Sequence, residues 1–75
     1  SSDLLMSVVD GKVSLAAAAT QQAVASGVKA GDLVKLVGQY IDGKGGGKPD
    51  LAQGTGSRPG GIDDALRAVR ESLAG

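Results

Sequence analysis

Gly43-Lys44-Gly45-Gly46-Gly47-Lys48-Pro49-Asp50-Leu51-Ala52-Gln53-Gly54-Thr55-Gly56 is the stretch around which the rest of the chain is organised. Eight of the thirteen glycines lie between Gly43 and Gly61. Lys44, Lys48 and Arg58 share that span with a single acid, Asp50. Glycine loses more backbone freedom on folding than any other residue, so a run this dense is costly to order. Either it is a disordered linker or its backbone approaches something closely. Pro49-Asp50-Leu51-Ala52-Gln53, neither repetitive nor Ser-rich, weakens the linker reading.

Two familiar phosphate-binding patterns fail position by position. A Walker loop needs Gly-x-x-x-x-Gly-Lys followed by Ser or Thr. Here Gly47-Lys48 is followed by Pro49, and Asp42 takes the place of the first glycine. A dinucleotide fingerprint, Gly-x-Gly-x-x-Gly, would need glycine in place of Lys48 or Asp50. The run also follows a helical pattern and precedes a strand-like one, the wrong order for that motif. What remains is a loop of bare N–H groups between Lys44 and Lys48. It could form an anion-binding concavity, or lie flush against a sugar-phosphate surface or an exposed base pair. The lysines would then contact phosphates, which position without reading sequence. A tight turn between helix and strand, with solvated lysines, stays open as the plain alternative.

Working outward, Asp3 to Val9 and Lys12 to Ala18 are apolar runs separated by Asp10-Gly11, a strong hairpin signal for a type I′ turn. Ala16 to Ala19 favour helix, so a helix from Leu15 to Ala25 competes. The preferred reading is a strand buried on both sides, followed by an irregular or one-turn segment from Thr20 to Ser26. Leu33, Leu36, Val37, Tyr40 and Ile41 fall on one face of a helix, with Asp32 in its first turn. Gly43 is read as the C-cap glycine of that helix. Gly38 inside it costs about 1 kcal/mol relative to Ala, which predicts close packing of Gly38 against a strand. Ile62, Ala65, Leu66, Val69 and Leu73 mark a last helix, with i,i+4 pairs expected for Asp63–Arg67 and Arg67–Glu71. Asp50 to Gln53 supplies a short third strand. The fold class is therefore α+β: a small mixed sheet of three strands or slightly more, two helices on one face, in the order β-β-α-β-α.

Composition bounds the chemistry. The 75 residues form a single domain, and a core this small is marginal. Without Cys there is no disulfide or thiolate site, and without His the commonest general base and metal ligand is missing. No catalytic or metal-ligating residue is expected. Net charge is zero, so nucleic-acid contact must come from a local patch. Tyr40 is the sole aromatic, which argues against reading single strands by stacking. The chain begins Ser1-Ser2 with no secretory or membrane-spanning pattern, and the expectation is a piece of a longer cytoplasmic protein.

The residues from Gly43 to Gln53 closely resemble the signature near the C-terminus of alanyl-tRNA synthetases. That family typically reads Gly-Gly-Lys-Gly-Gly-Gly-Arg-Pro-Asp, an apolar residue, then Ala-Gln. Asp10-Gly11-Lys12-Val13 is similar to the family's hairpin, Val28-Lys29-Ala30-Gly31-Asp32-Leu33 to its helix start, and Ile62 to Leu73 to its last helix. Nearly the whole chain, Leu4 to Ala74, is covered by the resemblance. It implies the globular, DHHA1-type part of the synthetase C-terminal domain, a noncatalytic module contacting the outer corner of tRNA(Ala). It also implies that ATP, Mg²⁺ and the editing Zn²⁺ serve aminoacylation and editing domains upstream, with which the module cooperates. A homodimer formed through a preceding helical portion is a further implication. On this resemblance Lys44, Gly45, Gly46, Gly47 and Lys48 are the expected RNA contacts, with Gln53 and Arg58 as weaker candidates.

Departures from the family pattern are modest. Lys48 stands where Arg is usual, keeping the charge but losing a bidentate fork. Pro59-Gly60-Gly61 replaces a more common Asp-Pro, and both changes lean towards weaker RNA affinity. Two other readings compete: the accessory domain of a DHH-type phosphoesterase, whose loop usually carries Gly-Gly-Gly-His, and a dimerisation module. The absence of any His favours the synthetase branch.

Overall fold

A computed structural model describes residues 2–74. The hairpin comes first: β1 (Ser2–Val9) and β2 (Lys12–Ala19) pair antiparallel, with Val9 opposite Lys12. Asp10 and Gly11 both take positive φ, 52° and 75°, as the type I′ turn requires. β2 alternates strictly. Val13, Leu15, Ala17 and Ala19 are buried, whereas Lys12 and Ser14 are exposed. It is thus covered on one face and not on both. The competing helix from Leu15 does not form, because burial of alternate residues rewards an extended chain more than Ala rewards a helix. Helix α1 (Gln21–Ala25) is one turn, capped by Thr20 Oγ1, which accepts from the Ala23 N–H at 3.1 Å.

Helix α2 (Ala30–Ile41) buries Leu33, Val37 and Ile41, as the periodicity predicts, together with Val34, which the periodicity does not mark, while Leu36 and Tyr40 are half-buried. It ends on Asp42, itself left-handed at φ 54°, so Asp42 and not Gly43 turns the chain. That frees Gly43 to start a strand. β3 (Gly43–Gly47) and β4 (Leu51–Gly56) form a second antiparallel hairpin, and the glycine run expected as a loop is itself extended. The sheet therefore has four strands, ordered β1-β2-β4-β3 and antiparallel throughout. The α+β class holds, with the added strand drawn from the glycines.

Helix α2 lies over β2, β4 and β3, while α3 (Ile62–Ala74), entered through a 3-10 turn over Pro59–Gly61, packs chiefly on α2. Ala65 and Val69 join the core, but Leu73 stays 47% exposed. Arg67 pairs with Asp64 at 3.6 Å and not with Asp63, an exposed contact of little energetic weight.

Candidate nucleic-acid interface

β3 is positioned from above by α2. The inward residues of β3 are Gly43, Gly45 and Gly47, opposite Gly56, Gly54 and Ala52 of β4. A Cβ added at Gly45 would stand 2.7 Å from Val34 Cγ1, and one at Gly56 would stand 2.6 Å from Ile41 Cδ1. The helix reciprocates with its own glycines. A Cβ at Gly31 would lie 3.1 Å from the Gly47 oxygen, and one at Gly38 3.3 Å from the Gly43 oxygen. Gly38 does face a strand, as its cost inside a helix predicts. Main chain thus comes against main chain at both ends of β3, with the Val34 side chain over its middle.

The tip of this hairpin is clamped. The Lys48 N–H donates to Leu51 O at 2.9 Å, and Ala19 N–H donates to Asp50 O at 2.9 Å. Ala30 N–H donates to Pro49 O at 2.7 Å, so the tip also caps the start of α2, which has no side-chain cap. The linker reading is excluded by these bonds. An anion-binding nest in the run is excluded as well. Successive N–H groups of a strand point to opposite sides, and the Lys48–Leu51 bond fixes which ones face β4. Lys44 and Gly46 spend theirs in the ladder, and Gly43, Gly45 and Gly47 turn outward.

On the face away from α2, the register builds rows across the whole sheet. Lys44 stands opposite Thr55, Thr55 opposite Ser14, and Ser14 opposite Ser7. The next row is Gly46, Gln53, Ala16 and Leu5. A shallow depression lined by Ser7, Ser14, Ala16, Lys44, Gln53 and Thr55 runs over both rows. Leu5, Met6 and Leu15 also line it, at the β1–β2 side. One cation and three hydroxyls give it donors and acceptors suited to phosphate and sugar oxygens.

Lys44, Gly45, Gly46, Gly47, Lys48 and Gln53 are thus brought together on one hairpin. Arg58 is not with them at the tip. It follows β4 at its other end, where its N–H donates to Ile41 O at 2.8 Å. Sequence reasoning missed Ser7, Ser14 and Thr55, which join the site only through strand register. It also missed Lys35, whose Cε lies 3.8 Å from where a Gly46 Cβ would stand, on the flank of β3. No spacing rule flags Lys35, because on helix periodicity it is an ordinary solvated residue. Among the described residues no group of three His, Cys, Asp or Glu could hold a metal ion, and no helix is long and apolar enough to cross a membrane.

With this geometry, residues 4–75 match the DHHA1 domain. The chain belongs to the DHHA1 domain family. It is 61% identical over 62 residues to an alanine–tRNA ligase of Corynebacterium efficiens, covering 83% of this chain and 7% of that protein. To the alanine–tRNA ligase of Leuconostoc mesenteroides it is 51% identical over 71 residues, 95% of this chain and 8% of the relative. This DHHA1 domain therefore spans under a tenth of the curated relatives it matches. Its backbone superposes on the crystal structure of the C-Ala domain from Aquifex aeolicus alanyl-tRNA synthetase with a TM-score of 0.87 and 29% identity. That match covers 96% of this chain and 64% of the other. The expected resemblance to the C-terminal domain of alanyl-tRNA synthetases holds in both sequence and fold.

Proposed function

We propose that this DHHA1 domain is a noncatalytic tRNA-binding module of an alanine–tRNA ligase, contacting the outer corner of tRNA(Ala) with the open face of its sheet. The observation that carries the reading is the bare β3 hairpin, with Lys44 heading a row of hydroxyls on an uncovered surface. The glycine-rich β3 strand can approach a folded RNA closely, and lysine with hydroxyl groups suits its phosphates and riboses. Similarity to alanine–tRNA ligases weighs the reading towards the synthetase and away from the phosphoesterase branch. On this reading ATP, Mg²⁺ and Zn²⁺ serve other parts of a longer cytoplasmic ligase, and the module holds tRNA for its aminoacylation and editing domains.

Filter retention of tRNA(Ala) across a salt series tests it. Lys44→Ala combined with Lys48→Ala should weaken binding and flatten the log–log salt slope by up to about two phosphate contacts. Arg58→Ala should do less, since Arg58 lies beyond the other end of β4. Identical binding and slope for the double variant and the parent would overturn the proposal.

A further inference from the structure

The open face carries a second depression, at the turn end of the first hairpin. Lys12, Ser14, Asp42, Lys44, Thr55 and Ser57 line it. Strand register explains how they meet. Val13 and Gly43 both stand opposite Gly56 on the side towards α2. The residues flanking those three therefore make two rows on the open face. One is Ser14, Thr55 and Lys44, and the other, at the turn end, is Lys12, Ser57 and Asp42. Lys12 and Lys44 hold opposite corners, about 10 Å apart across the strands and about 7 Å along them. The hydroxyls of Thr55 and Ser57 lie between them. Asp42, the one acid of the depression, holds a corner off that diagonal, where Ser57 Oγ donates to its Oδ2 at 3.4 Å. Both lysines are exposed, and among the described residues neither is ion-paired.

We propose that an RNA strand crosses this end of the sheet along the Lys12–Lys44 diagonal, each lysine holding one backbone phosphate. The hydroxyls between them donate to phosphate and ribose oxygens. This rests on the tRNA-binding reading and adds to it a path, from β3 to the first hairpin, and a further contact residue, Lys12. Lysine is a point charge on a flexible four-carbon stem, suited to a phosphate that needs no planar fork. Asp42 repels phosphate from its own corner and so confines the strand to the diagonal. With zero net charge, attraction has to gather where unpaired cations share one surface. A strand confined to the β3 hairpin would touch Lys44 and Lys48 and leave Lys12 unused, which makes Lys12 the residue that separates the two paths.

Single variants of the 75-residue chain, compared by filter retention of tRNA(Ala) across a salt series, test this. Lys12→Ala should weaken binding and lower the log–log salt slope by roughly 0.7–1, as Lys44→Ala should. Lys12→Arg keeps the charge and should keep the slope. Arg70→Ala removes an exposed cation on α3, away from the open face, and should leave the slope unchanged. A slope lowered by Lys44→Ala but not by Lys12→Ala would overturn the crossing and leave the tRNA-binding reading intact. Slopes unmoved by either variant, or no retention of tRNA by the parent, would overturn both. A loss with Arg70→Ala equal to that with Lys12→Ala marks a diffuse field and not a seat, and overturns the crossing alone.

Discussion

The two hairpins meet α2 by opposite means. β1–β2 offers side chains, and Val13, Leu15 and Ala17 of β2 are buried beneath the helix. β3–β4 offers almost none: its inward positions are Gly43, Gly45, Gly47, Gly54 and Gly56, with Ala52 alone carrying a Cβ. There the helix supplies the apolar atoms, Val34 and Ile41, and presses them onto bare backbone. The first hairpin is held by what its residues add, and the second by what they omit. Glycine disfavours strands, so β3 persists because α2 and β4 grip it and not through its own propensity. The functional consequence is a strand whose outer face carries only Lys44 and Gly46.

The comparison breaks most sharply at Gly45. A Cβ there would meet Gln53 O at 2.5 Å, Gly54 Cα at 2.6 Å and Val34 Cγ1 at 2.7 Å. Two of those atoms are backbone of the paired strand and cannot rotate away. Gly45→Val should cost at least the upper part of the roughly 1–3 kcal/mol typical of overpacking. A chain this long has only about 4–11 kcal/mol in total, so the variant gives up a large share of its stability and its urea midpoint falls. Urea denaturation followed by circular dichroism measures it. A midpoint within error of the parent would mean that β3 does not lie under α2.

Gly38 sharpens the same contact from the helix side. Its Cβ would lie 3.3 Å from Gly43 O, tight but not impossible. Gly38→Ala gains about 1 kcal/mol of helix propensity and spends it against that carbonyl, for a net change near zero. Gly38→Leu has no such balance and should abolish the cooperative thermal melt. Equal melting of the Leu variant and the parent would remove the close approach of α2 to β3.

The same contrast explains what was legible in the sequence. Asp10-Gly11 and the face of α2 are positive signals, since each names a residue type the structure needs, whereas β2 reads as a strand buried on both sides because its alanines hide the one-sided alternation. The cost of Gly38 also read correctly, because an unfavourable residue implies a compensating contact. β3 left no positive signal. Four of its five residues are glycine, which reads as loop until the helix that covers it is placed. Mistaking Asp42 for an ordinary last residue followed from that, since Gly43 looked the better cap. Gly45, Gly46, Gly47 and the lysines enter as candidate RNA contacts only through the family resemblance. The hydroxyl row could not be found, because Ser7 and Thr55 are far apart in sequence and meet only through two strand registers.

An effect smaller than those of Gly45→Val and Gly38→Leu separates two uses of glycine. Gly11 lies in the side-chain-rich hairpin, and a Cβ there would meet nothing within 4 Å. Its need is conformational: φ is +75°, where an L-residue is disfavoured by about 1–2 kcal/mol. Gly11→Ala also restricts the unfolded chain, returning roughly 0.4–1 kcal/mol. The net loss should be about 1 kcal/mol, with folding retained. Gly45 presents the reverse case, a crowded site whose backbone is ordinary strand. Replacing Gly11 with a D-alanine by chemical synthesis then discriminates the causes, because a D-residue accepts positive φ. It should recover the parent midpoint at Gly11, where space is open. If D-alanine at Gly11 melts as low as L-alanine, backbone conformation is not what that glycine supplies, and the two hairpins differ less than their geometry says.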